Sequence, residues 1–256
     1  MAKSTEGSGF DRHGIGHLSA SSINLWSNAP DVWVLSYLLK KRTPGSAAMF
    51  RGICAEDLVA DTLTGSSFED ALAKALAKFD KQFPIALSDK ITKERAMIEP
   101  IGKITLDELK PFGEPDFPEN GQHKVQIFAK HYDDWAIPVI GYLDFVFEKH
   151  GLVVDLKSTG RIPSTMSPEH QLQRCIYAKA MGNSAVKFLY VSPKKCNWLE
   201  DGDVGETLKL AKQKIIRLER FLRHVPDAET AASIVPHNPN SFYWNGAEDL
   251  AQQHFN

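Results

Sequence analysis

The residues on either side of Lys149-His150-Gly151 constrain the fold of this chain more than any others. Alternate residues of a strand face the same side. Leu143, Phe145 and Phe147 therefore share one face before the turn, and Leu152, Val154 and Leu156 share one face after it. Both sets are wholly apolar. The turn signal predicts a tight hairpin, and folding it so that the apolar faces coincide leaves Tyr142, Asp144, Val153, Asp155 and Lys157 together on the other side. A turn centred between Lys149 and His150 sets Asp144 opposite Asp155, with Cβ atoms roughly 4.5–5.5 Å apart. A register two residues different makes them diagonal neighbours. Either arrangement lets one oxygen-seeking cation bridge two carboxylates with a lysine beside them, the equipment of metal-dependent phosphodiester cleavage. The spacing alone fits a solvent-facing hairpin face with ordinary charges equally well.

Resemblance separates these readings. Gly141-Tyr142-Leu143-Asp144 followed by Asp155-Leu156-Lys157-Ser158-Thr159-Gly160 resembles the D…D-x-K core of the PD-(D/E)XK nuclease superfamily, in particular its RecB-like and phage lambda-type exonuclease branches. Three further stretches fall in the order of that family. Leu18 to Trp26, followed by Ala29-Pro30, resembles its opening helix; Arg51-Gly52-Ile53-Cys54-Ala55-Glu56 resembles the R-G-x-x-x-E helix; Gln173-Arg174-Cys175-Ile176-Tyr177 resembles the Q-x-x-x-Y helix. Each is short, but four in order span about Leu18 to Tyr190.

The resemblance implies an α/β fold with a restriction-endonuclease-like core, a mixed central sheet flanked by helices and helical elaborations. It implies a DNA nuclease, an exonuclease more than an endonuclease, with a structure-specific endonuclease or a non-cleaving nucleic-acid-binding relative as alternatives. Asp144, Asp155, Glu56 and the Leu156 carbonyl would hold Mg²⁺, or Mn²⁺ in its place, since hard cations take oxygen ligands. Lys157 would stabilise charge on the attacked phosphate. Gln173 and Tyr177 would orient substrate or lysine, while Arg51, Ser158 and Thr159 would contact a phosphate, with turn stabilisation the rival role for Ser158 and Thr159. DNA is the expected partner, with room for a recombinase or single-strand-binding protein. Two departures matter: Cys54-Ala55 stands where many RecB-like members carry a histidine, and Cys54, Cys175 and Cys196 are too few for a four-cysteine iron-sulfur cluster, so none is expected.

Composition suits a cytoplasmic enzyme. With 43% hydrophobic and 24% charged residues, the 256-residue chain can bury a proper core. No run approaches the roughly 20 apolar residues of a membrane span, Met1 to Gly9 lacks the apolar segment of a secretory signal, and the odd cysteine count argues against a disulfide framework. A net charge of −2 means that any DNA contact is local.

Along the chain, residues 1–17 read as a mobile tail, 18–235 as the nuclease domain and 236–256 as a C-terminal extension. His13 and His17 in the tail read as ordinary residues, because Gly14 and Gly16 oppose a helix that would aim both rings at one metal. Helical periodicity covers about Ser21 to Lys40, Ala48 to Leu63 and Phe68 to Phe83. Prolines at 100, 111, 115 and 118 predict an irregular connection through Gln122, either a flap over the substrate or a surface excursion. Strands are expected at Lys124 to His131, Ile137 to Glu148, Leu152 to Lys157 and Val186 to Val191, with a turn at Asp133-Asp134. Ser167-Pro168-Glu169 starts a helix with Ser as N-cap, placing Gln173 and Tyr177 on one face. A final amphipathic helix over Val204 to His224 buries a stripe from Leu208 to Leu222. It carries Lys209, Lys212, Lys214, Arg217, Arg220 and Arg223, either a phosphate-tracking surface or a solvated face. Phe242-Tyr243-Trp244 either packs on the body or stacks on a base.

Overall fold

The computed structural model describes residues 7–83, 88–116, 126–130, 135–182 and 184–255. In chain order the elements are α1 (Gly9–Arg12), β1 (Leu18–Ser19), α2 (Ala20–Asn28), α3 (Pro30–Tyr37), α4 (Ala47–Leu63), α5 (Phe68–Gln82), α6 (Asp89–Ala96) and α7 (Ile98–Leu109). There follow β2 (Gln126–Lys130), β3 (Val139–Leu143), β4 (Phe145–Phe147), β5 (Leu152–Ser158), α8 (Pro168–Met181), β6 (Ala185–Ser192) and β7 (Lys195–Leu199). The chain closes with α9 (Val204–His224), α10 (Ala228–Ile234) and α11 (Glu248–Phe255). This is an α/β fold with helical elaborations. It divides into two compact units, one of residues 1–44, 128–141 and 203–256, the other of 45–127 and 142–202, so the span 18–235 contributes to both. Among the described residues no helix is long and apolar enough to cross a membrane.

The unit of 45–127 and 142–202 is built on a mixed sheet in the order β4-β5-β6-β7. β4 and β5 are antiparallel, with Phe145 opposite Val154 and Phe147 opposite Leu152, the register of a turn centred between Lys149 and His150. Gly151 ends that turn at φ 56, a left-handed conformation that favours glycine. β5 runs through α8 into the parallel strand β6, and β7 returns antiparallel. One face of the sheet, with Phe145, Phe147, Leu152, Val154, Leu156, Leu189 and Val191, packs on Ala55 and Val59 of α4 and Ile101, Leu106 and Leu109 of α7. Alternation sends Val153, Asp155 and Phe188 to the opposite face, where they are also buried, with Gln173 of α8 reaching Asp155 and His170 of α8 lying against the Phe188 ring. A Cβ on Gly102 of α7 would come within 2.3 Å of Leu58 Cδ2, so the glycine sets how closely α7 approaches α4.

In the other unit, β1 pairs in parallel with β3 in a sheet of order β1-β3-β2. α9 buries Ala211, Ile215, Leu218 and Leu222. Trp244 is buried with Val32, Leu35, Ala247 and Ala251, so the C-terminal segment packs on α3, while Phe242 stays 78% exposed.

Several expectations are corrected. Gly9 to His13 is not a loose tail: α1 is capped by Ser8, Phe10 is buried, Gly9 N–H donates to the buried Glu219 carboxylate (3.0 Å), and His13 Nε2 lies 3.1 Å from the carbonyls of Leu222 and Val225. The Ser21–Lys40 helix is two, because Pro30 has no N–H to continue α2 and starts α3 at its first position. Pro100 does not break the chain into a loop. It lies in the first turn of α7, where amides have no intrahelical acceptor, and Ile101, Leu106 and Leu109 are buried core. Ile137–Glu148 is not one strand in one central sheet; it parts at Asp144 into β3 and β4, which belong to different sheets. The expected turn at Asp133-Asp134 lies outside the described residues.

Candidate active site

The break at Asp144 has a local cause. Its Oδ2 accepts the main-chain N–H of Leu156 at 2.8 Å, a donor that a continued ladder would direct to a carbonyl of the neighbouring strand. The carboxylate takes that place and the pairing stops. The β4–β5 register, extended by one pair, sets Asp144 opposite Asp155. Asp155 is buried at 1% exposure and so is not on a solvent-facing hairpin surface. Lys157, two residues on along β5, forms an ion pair with Asp155 Oδ1. Its ammonium also sits 4.9 Å from the centre of the Phe188 ring.

α8 meets this face from the other side. Ser167 caps it, its side chain accepting from His170 N. Gln173 Nε2 donates to Asp155 Oδ2 and to the Tyr177 hydroxyl, both at 2.9 Å. The Tyr177 hydroxyl also accepts the main-chain N–H of Tyr142. α4 contributes Glu56, whose charge is felt by Asp144 and Lys157.

The electrostatics are unbalanced. Burial, then the charges of Asp155 and Asp57, pushes Glu56 up from 4.5 to about 7. Burial, then Asp155 and Glu56, holds Asp144 well above the usual carboxylate range, although Lys157 and the Leu156 N–H pull it down. Burial raises Asp155 even against its Lys157 partner. Lys157 is itself raised: burial opposes its charge, but Asp155, Asp144 and Glu56 outweigh that. Three carboxylates and one ammonium carry a formal charge of −2 when ionised, the charge that one divalent cation neutralises. Among the described residues, no three carboxylate, imidazole or thiol side chains converge into a ready ligand set.

The remaining expected site residues are used within the protein. Arg51 of α4 is buried and bonds through Nη2 to the Ser158 carbonyl (3.1 Å) and hydroxyl (3.3 Å), with Nη1 paired to Glu94. It ties α4 to the end of β5. Gly52 sits at that junction, where a Cβ would stand 3.1 Å from Ser158 Oγ. Thr159 stabilises the following turn, its hydroxyl donating to Arg161 O (2.9 Å) and accepting from Arg161 N (3.2 Å). On α9, Arg223 pairs with Glu219 and Lys209 with Glu206 (3.8 Å).

Sequence reasoning missed His170 and Tyr190, which stand 2.6 Å apart through Nδ1 and the hydroxyl. Tyr190 is the β6 partner of Lys157. Burial and the nearby Lys157 depress His170 to about 4, so its imidazole is neutral at physiological pH. The signal was present: His170 precedes Gln173 by three residues, hence shares its helix face.

No protein-family model and no curated protein sequence matches the chain. A solved structure described as "Crystal structure of SSO0001" is similar over 64% of this chain and 74% of that one, at 16% identity and a TM-score of 0.34. A likeness that loose carries no argument about function.

Proposed function

We propose that the chain is a metal-dependent DNA nuclease with a PD-(D/E)XK core that acts on DNA ends as an exonuclease, in recombination, repair or phage DNA metabolism. The observation that carries this reading is the placement of Asp144 opposite Asp155, beside Lys157, with the charge of Glu56 opposing the ionisation of Asp144. A buried carboxylate beside two partly buried ones, each opposing the others' ionisation, is the kind of arrangement by which functional sites shift the pKa values of their groups.

The donor chemistry fits Mg²⁺ or Mn²⁺. Glu56, Asp144, Asp155 and the Leu156 carbonyl offer only oxygen, and Asp155 Oδ1 is buried without a hydrogen bond, facing the Lys157 ammonium instead. When bound, such an ion supplies an activated water and polarises the scissile phosphate. The protein's own groups do the rest. Gln173 fixes the Asp155 carboxylate, Tyr177 fixes Gln173, and Lys157 donates to the phosphate as negative charge builds in the transition state. Exonuclease action rests on the resemblance of the Arg51–Glu56 helix. Purified protein should shorten linear duplex progressively with Mg²⁺, do nothing in chelator, and leave covalently closed circles intact. Rapid linearisation of circles, abolished by Asp155→Asn, would establish an endonuclease instead.

A further inference from the structure

Tyr142 is the most exposed residue of β3. Val139, Gly141 and Leu143 are buried, whereas Tyr142 is 50% exposed. Exposing a large aromatic side chain has a hydrophobic cost, and single exposed residues are common; the position of this one makes it informative. It precedes Asp144 by two residues, and its backbone is tied to the site. The Tyr142 N–H donates to the Tyr177 hydroxyl, which accepts from Gln173, which in turn donates to Asp155. Three hydrogen bonds thus connect the main chain of Tyr142 to the central carboxylate. Among the described residues its ring has no aromatic partner.

A ring held by a fixed backbone next to a phosphate-handling site matches the flat face of a nucleobase. Base–aromatic stacking is indifferent to sequence because every base has a π-face. A base inside a duplex is already covered on both sides by its neighbours, so only an unpaired base can use the ring. Resting on the nuclease reading above, we infer that Tyr142 is a stacking platform for one unpaired nucleobase beside the scissile phosphate. The substrate then enters as a single strand or a frayed end.

The test is binding of short single strands, DNA and RNA, to the full chain in Ca²⁺, with a single abasic position moved along the strand. The wild type should lose about tenfold in affinity when one position near the bound end is abasic, and little elsewhere. Tyr142→Phe should keep that discrimination. Tyr142→Leu, which retains apolar area without a ring, should bind the intact strand about tenfold more weakly and no longer distinguish it from the abasic one. The same pattern on RNA supports the inference equally, since the ring meets the base and not the sugar. Thermal melting of both variants at the wild-type temperature shows that the losses are not unfolding. Discrimination by Tyr142→Leu as strong as the wild type's overturns the inference. So does a wild type that binds strands with no abasic effect, or one that binds no single strand while still shortening linear duplex, outcomes that leave the nuclease reading standing; no strand binding together with no cleavage of linear duplex overturns both.

Discussion

Asp31 and Asp155 are both buried, at 2% and 1% exposure, and their surroundings differ in kind. Asp31 receives four donors. Val32 N–H reaches Oδ1 (2.8 Å), while His237 Nδ1 (2.8 Å), Trp244 Nε1 (2.9 Å) and Asn238 N–H (3.1 Å) reach Oδ2. Its charge is matched by hydrogen bonds that join α3 to a segment about 200 residues later in the chain. Asp155 has one amide and one ammonium, and its neighbours include two further carboxylates. A buried acid saturated with donors holds a structure together. A buried acid facing other acids destabilises the structure until something positive arrives.

The largest expected effect is on activity. Asp144→Asn and Asp155→Asn should each lower Mg²⁺-dependent cleavage by more than about a thousandfold, with melting temperature unchanged or raised, because each removes a charge from a repelling group. Should either variant cut at the wild-type rate over a Mg²⁺ titration, the proposed site is wrong. If instead both unfold, Asp155 belongs with Asp31 as a structural acid.

Lys157→Ala should slow the chemical step by about a hundredfold or more while weakening DNA binding in Ca²⁺ much less, since its role is stronger in the transition state. Single-turnover rates and binding separate the two effects. Equal losses in both would reduce Lys157 to a phosphate-positioning charge.

The counterpart in the other unit is Asp31→Asn. It should cost about 2–4 kcal/mol of stability, because His237, Asn238 and Trp244 lose a charged acceptor, and lower the melting temperature by roughly 5–10 °C. Cleavage measured well below that transition should stay at the wild-type rate. A variant that melts normally yet fails to cut would erase the distinction between the two acids.

The smallest effect is a pH dependence without divalent cation. Glu56 sits at about 7 in the folded protein against 4.5 ordinarily. The folded state therefore binds more protons between those values, and stability falls as pH rises from about 4.5 through 7. The loss is at most about 3 kcal/mol. Denaturant titrations at pH 5 and 7.5 should show it in the wild type, reduced in Glu56→Gln and flattened by Mg²⁺. A wild-type slope equal to that of Glu56→Gln would mean that Glu56 is not held in the repelling cluster.

Much of the candidate site is legible without a structure. The apolar alternation of 143–147 and 152–156, with the turn between them, is enough to pair β4 with β5 and bring Asp144 near Asp155, and of the two registers it allows the structure adopts the one that sets them opposite. Ser167-Pro168-Glu169 is enough to start α8 and bring Gln173 and Tyr177 to one face, and the stripe of α9 is enough to give its limits. Less legible are features in which a side chain replaces a backbone partner or a proline sits where it does no harm. The Asp144 carboxylate ends a strand whose apolar pattern continues, and Pro100 falls in the first turn of α7.

The sequence by itself determines the hairpin, the faces of its strands and of the long helices, and the residue types brought to the site, because these depend on neighbours a few positions away and on periods of 2 and 3.6. Tertiary structure alone decides which of those residues are committed elsewhere. Arg51 and Ser158, expected to contact a phosphate, bond to each other across 107 positions, and Asp31 looks like any helix-start acid until His237 closes on it across 206. Hydrogen bonding and repulsion between buried groups act through space at a few ångströms, and no local pattern records which distant segment supplies the partner.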